Sequence, residues 1–325
     1  MNAYSPKRSP RLPSRTIAMS GFSLIEMMIS ITIGLMVIAA LVAVLVSNSG
    51  SAKTNDRTSE LQSNGRYALD HLKRELRHAG YRGYSWEKPT PPTTAIAVTN
   101  ECLDGGAADT FVQNIGQGVW GANDSNPYTL NCLPDANRVR GDVLVIRRVA
   151  SQISTALTPG SLYLRSTYSV AEVFQPTASA VVAPVIVGLP IADFALQEYV
   201  YYIGKDDVDT SVPALRRIAL LADGSMSDQL VVSGIEHMQL QYGRVTTDGN
   251  TQYYNANAIV GTSTTAQTDW GAVNSVRIWL LARNAKAEAG YSNTTKYPMG
   301  DVLTYPATSD SFRRQLFTAV VQLRN

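Results

Sequence analysis

Residues 21–46 read GFSLIEMMISITIGLMVIAALVAVLV. From Met27 to Val46 the run carries no charge and no proline, and some twenty residues at about 1.5 Å each span about 30 Å as a helix, the thickness of a bilayer's hydrocarbon core. Its flanks set a direction. Lys7, Arg8, Arg11 and Arg15 precede it with no acid among residues 1–21, whereas Lys53, Asp56, Arg57 and Glu60 follow it with mixed sign. The positive-inside rule keeps such an N-terminus cytoplasmic and sends residues 47–325 outward.

A cleaved secretory signal has the same outline and fits poorly. The run exceeds the usual apolar core of about 7–15 residues, and the polar stretch Ser47, Asn48, Ser49, Gly50 offers only a weak small-x-small cleavage site. A plain signal anchor explains everything except Glu26. A carboxylate in hydrocarbon costs about 2.5–3.5 kcal/mol on insertion scales, so an acid at the mouth of this helix requires a cation. Within one chain, the nearest candidate is the amino group that cleavage between Gly21 and Phe22 would release.

With its apolar continuation, GFSLIE resembles the processing site of type IV prepilins. The resemblance implies a membrane peptidase, the prepilin peptidase, that cuts after Gly21 and methylates the new N-terminus at Phe22. It also implies that Glu26 pairs with the N-terminal amine of a neighbouring subunit as the helix enters a filament. Two unit charges 4 Å apart attract by about 4 kcal/mol at an effective dielectric of 20, an upper guide. The partner comes from another molecule, so the charge specifies assembly and register. The leader of 21 residues, with Pro6, Pro10 and Pro13, is longer than in many members of that family, and the apolar helix lacks their proline.

Beyond the apolar run, Leu61, Gly65, Ala68, Leu72, Leu76 and Ala79 recur at steps of three and four, with Arg66, Asp70, Lys73 and Arg77 mostly off that stripe. Gly80 and Gly83 are expected terminators. One helix from Phe22 to about Ala79 is therefore predicted, with Gly34, Gly50 and Gly65 as points where it can bend. Residues 86–140, rich in Pro, Gly, Asn and Asp, read as loops. Short β-branched and aromatic segments then begin at Asp142, Ser161, Ala195, Pro213, Asp228 and Ser275 and close with FTAVVQLRN, predicting antiparallel sheet.

Cys102 and Cys132 lie downstream of the apolar run. If the run exports them, they meet an oxidising compartment, where a bridge is favoured over two separate buried thiols. The formal charge of +2 is set by the tail. Without its four basic residues, 24 of the 28 remain against 26 acidic ones, a net of −2. A slightly acidic chain has no general attraction to nucleic acid, so none is expected as a partner.

Signals of catalysis are sparse. His71, His78 and His237 are the only histidines, and no G-x-S-x-G, H-E-x-x-H, C-x-x-C or phosphate loop occurs. Asp206, Asp207 and Asp209 crowd one turn and make a weak metal candidate without a full oxygen-donor set; a solvated turn between strands is the simpler reading. Tyr199, Tyr201, Tyr202, Tyr253 and Tyr254 suit either a docking surface or half-buried strand faces. No cofactor is expected, and the chain is read as a non-enzyme.

RYALDHLKRELRHAGYRGY, VSGIEHMQLQYG, VRIWLLARN and the terminal LRN together resemble PilW-type minor pilins. The expected fold is α+β and pilin-like: a long N-terminal helix packed on an antiparallel β-sheet head. The expected division is a cytoplasmic leader (1–21), a transmembrane and assembly helix (22–46), an amphipathic continuation (47–82), and a β-rich periplasmic or extracellular head (83–325). The resemblance implies a minor pilin that helps initiate the type IV pilus and enters it, in a tip complex with other minor pilins and the major pilin. Its further partners would be the prepilin peptidase and the inner-membrane assembly platform. It would sit as a single-pass inner-membrane protein with a periplasmic head, then at the cell surface. The rivals are a minor pseudopilin of type II secretion and a pilin-stalk adhesin or DNA-uptake receptor.

Overall fold

A computed structural model describes residues 21–90, 92–103, 111–179, 181–261, 268–306 and 309–324. Residues 1–20 of the expected leader lie outside the described residues. The chain divides into two compact units, residues 1–55 and 56–325. Helix α1 (Leu24–His78) supplies the described regular structure of the first unit and opens the second, and it continues through Gly34, Gly50 and Gly65. In the first unit Met27–Val46 is exposed throughout except for half-buried Gly34.

In the second unit α1 turns an apolar stripe inward. Leu61, Gly65, Ala68, Leu72 and Leu76 are buried, with Ala79 just past the helix end, so the period-3.6 spacing marks the packed face. Each fully buried leucine contributes about 1.5–3 kcal/mol. Two polar residues join that face. His71 Nε2 lies 3.0 Å from the Tyr201 hydroxyl, and Arg148 donates through Nε and a terminal nitrogen to Glu75 at 3.0 and 2.9 Å. At the C-terminal end Gly80, with φ +78°, takes the left-handed position that terminates helices, and its N–H donates to the Arg147 carbonyl at 2.9 Å.

The strands are β1 (Val119–Ala122), β2 (Arg140–Val149), β3 (Tyr163–Ser166), β4 (Ala171–Phe174), β5 (Ala192–Lys205), β6 (Pro213–Leu220), β7 (Met226–Ser233), β8 (Ile235–Val245), β9 (Thr251–Tyr254), β10 (Val273–Arg283) and β11 (Arg314–Gln322). They form a seven-stranded sheet, β1 to β7, and a four-stranded sheet ordered β11-β10-β8-β9, with antiparallel pairing between the strands of each. The larger sheet is organised by the 14-residue β5. β2 lies along one edge of it, while the other edge pairs first with β3 and then with β6.

The stretch from Asp228 to Arg244 reads as one strand in sequence and is two in the structure. The chain leaves the larger sheet at Ser233 and enters the smaller at Ile235, and Gly234 between them has φ +80°. Its N–H donates to the Pro213 carbonyl, and its own carbonyl accepts from the Arg283 N–H, both at 2.8 Å. One residue thus ties both sheets, and a side chain would be strained there. Asp142 on β2 also links the sheets, accepting the Asp124 N–H at 3.0 Å and the Leu240 N–H of β8 at 2.7 Å.

The described residues between 86 and 139 are largely loop, as expected, apart from β1. The disulfide Cys102–Cys132 staples them, with Cα atoms 4.9 Å apart. Nearby, fully buried Arg147 faces fully buried Glu198 at 4.0 Å, donates to the Phe111 carbonyl at 2.9 Å, and reaches Gln117 Oε1 at 3.0 Å. At the start of β11, the Arg314 guanidinium pairs with Glu236 at 2.5 Å and with Asp310 at 2.6 Å.

Candidate assembly site

The candidate site begins where α1 begins. Ser23 precedes the first helical residue, Leu24, and its backbone N–H donates to Glu26 Oε2 at 3.0 Å. Its carbonyl accepts the Met27 N–H at 3.2 Å. The glutamate at the third helical position reaching back to the capping residue's N–H is one half of a capping box. Glu26 therefore helps define the helix start, and its negative charge suits the positive end of the helix dipole. The S-x-x-E spacing of Ser23 and Glu26 is the sequence signal for this capping role.

Gly21, Phe22 and Glu26 are all exposed, Phe22 at 86%. A Cβ built on Gly21 meets nothing within 4 Å. The peptide link between Gly21 and Phe22 is thus open to approach, and the first turn of α1 presents the carboxylate. Behind it, the helix has the length and composition to cross a membrane, and none of its apolar window is buried within the chain. An exposed apolar face of this extent requires lipid or other helices around it.

The other singled-out residues serve the head. Asp206 accepts the N–H groups of Val208 and Asp209 at 2.8 and 3.1 Å and the hydroxyl of Ser233. Asp207 pairs with Arg216 at 2.6 Å, and Asp209 accepts the N–H and hydroxyl of Ser211 at 3.0 and 2.6 Å. Their oxygens shape the β5–β6 turn, and these bonds hold Asp206 and Asp209 below the usual carboxylate range. No group of three metal-ligating side chains occurs among the described residues.

His71 and His237 are buried, and desolvation lowers both pKa values; His78 is exposed, with Nδ1 2.8 Å from the Arg74 carbonyl. Tyr199, Tyr201 and Tyr202 lie in the core, while Tyr253 and Tyr254 are half-buried. The first three therefore pack the interior and form no docking surface.

Residues 18–42 match the prokaryotic N-terminal methylation motif, a segment that holds Gly21, Phe22 and Glu26. The motif and the apolar helix behind it support a membrane-anchored, pilin-like protein. Residues 200–325, from β5 to the C-terminus, match the family described as type IV pilus-assembly protein W. Together the two matches support a minor pilin of the type IV pilus, a structural subunit that interacts with other pilins and the pilus assembly machinery. No curated protein and no solved structure gives a significant match.

Proposed function

We propose that this protein is a minor pilin that helps initiate the type IV pilus and is incorporated into it, in a tip complex with other minor pilins. The prepilin peptidase cuts between Gly21 and Phe22 and methylates Phe22. The head then stands in the periplasm, with the N-terminal end of α1 at the cytoplasmic side of the inner membrane. Glu26 receives the amine of a neighbouring subunit and sets the register of entry.

The observation that carries this reading is the carboxylate in the first turn of a membrane-length helix, within a matched methylation motif. An isolated charge there is costly, and a cation delivered by the next subunit offsets that cost only in the assembled state. N-terminal mass spectrometry of the mature protein is the test. Methylated Phe22 is expected. Retention of residues 1–21 would leave an anchored ectodomain, and recovery with the envelope but never in sheared pili would place the chain in a secretion system.

A further inference from the structure

The smaller sheet ends on β11, and one side of that strand is open. β10 holds the other side in an unbroken register from Ser275 opposite Gln322 to Arg283 opposite Arg314. The ladder closes with bonds from the Asn284 N–H to the Arg313 carbonyl and from the Leu323 N–H to the Asn274 carbonyl. Bonded and non-bonded pairs alternate in an antiparallel ladder, so odd-numbered residues of β11 bond to β10 and even-numbered ones turn their N–H and C=O outward. The Arg314 carbonyl accepts the Tyr297 hydroxyl at 3.3 Å. From Leu316 to Gln322 no outward backbone group has a partner among the described residues.

Folded proteins blunt such an edge with charge, proline, a bulge or brevity. Residues 316–322, LFTAVVQ, use none of these, and Thr318, Val320 and Gln322 are exposed. The other edge strands are protected. β1, β4 and β9 are four residues long, and β7 gives its Met226 N–H to the Thr99 carbonyl and carries Asp228, paired with Arg216.

The surroundings of the open edge select its guest. β11 runs alongside α1: Phe317 sits against Gly65, and Arg324 shares a surface depression with Lys73, Arg74 and Arg77. Lys73 is paired with Asp70 at 3.0 Å, whereas exposed Arg74, Arg77 and Arg324 have no ion pair among the described residues. The guest that satisfies both features is an extended segment with acids at one end. Nucleic acid would meet the cations and leave the backbone edge unpaired. A second β11 would meet the edge and bring no acid, since residues 314–324 contain none.

We propose that β11 is extended by a strand from a second polypeptide, antiparallel like the rest of the sheet, whose acidic N-terminal residues meet Arg74, Arg77 and Arg324. Main-chain bonds supply the affinity, and the cations choose partner and register. The proposal stands on the head alone and needs neither cleavage after Gly21 nor entry into a filament.

The full chain in non-ionic detergent is titrated against acetyl-Glu-Asp-Glu-Thr-Val-Thr-Val-Thr-Val-amide, followed by the anisotropy of a C-terminal fluorophore. Saturable binding is expected, and replacing the three acids by lysine, or Arg77→Gln with Arg324→Gln, should each weaken it about tenfold at low salt. Val320→Pro removes an outward N–H while sparing the β10 ladder, and should abolish binding. Two further peptides, N-methylated at every valine or at every threonine, test the pairing without touching the protein's fold. Alternate amides face β11, so one of the two should bind and the other should not. Binding by both or neither, indifference to the lysine, arginine or proline changes, or no saturable binding would each overturn the proposal. So would tighter binding of a nine-base oligothymidylate, or a dimer of the chain that Val320→Pro dissolves.

Discussion

Gly65 of α1 lies against the ring of Phe317 on β11 so closely that a Cβ built on the glycine would overlap the phenyl edge. The glycine is thus the seat for an aromatic side chain from the far end of the chain. It weakens the helix by about 1 kcal/mol relative to alanine, and the close approach offsets that loss.

Gly65→Ala should therefore destabilise residues 56–325 by about 1–3 kcal/mol despite alanine's better helix propensity. Phe317→Leu in the same chain should recover part of the loss by removing the ring. Denaturant unfolding of the single and double variants checks this; equal losses that simply add would disprove the contact.

Glu26→Gln retains an acceptor for the Ser23 N–H and removes the charge, whereas Glu26→Ala removes both. Both variants should still be cleaved after Gly21. Each should fall at least about tenfold in sheared pili, as about 1.4 kcal/mol of lost pairing would give. Undiminished recovery of the glutamine variant would assign Glu26 to helix capping alone.

Replacing Cys102 and Cys132 together by alanine should cost about 3–4 kcal/mol, the loop-closure entropy regained by the unfolded chain. Reductant should shift the unfolding curve of the unmodified protein and leave that of the variant unchanged.

Desolvation depresses the folded-state pKa of His71 below its ordinary 6.5, so the folded state binds fewer protons than the unfolded one in that window. The stability it contributes is complete above pH 6.5 and is lost as pH falls through the lowered value. Asp142 runs the other way. Burial pushes it up to about 8, so its contribution is present below its ordinary 3.8 and is lost as pH rises through 8. The difference between the unmodified chain and His71→Gln isolates the histidine: the unmodified chain should lose more stability than the variant between pH 7 and 5. Parallel pH profiles would contradict this.

The elements with strong periodicity were legible in the sequence. The α1 stripe and its stop at Gly80 follow from spacing and a positive-φ glycine, and β2, β5, β6 and β10 announce themselves as β-branched and aromatic runs. β1, β4 and β9 were not, because VWGA, AEVF and TQYY are four residues each and owe their strand conformation to the neighbours they pair with. The break at Gly234 hides inside an unbroken apolar pattern, although a glycine within such a run is a known sign of a bend. At the helix start the lone charge of Glu26 is plain in the sequence, whereas its capping role shows only in the S-x-x-E spacing with Ser23. Glu198 and Arg147 read as ordinary strand residues, since nothing local foretells that the two meet with no solvent between them.

Leu61, Ala68, Leu72 and Leu76 belong to the interior of residues 56–325, which fixes where a soluble fragment can be cut. Expression from residue 83 onward would strip those side chains away and leave Phe317 facing water, a recipe for inclusion bodies. A boundary just ahead of Asp56 keeps the interior whole while discarding the greasy tail.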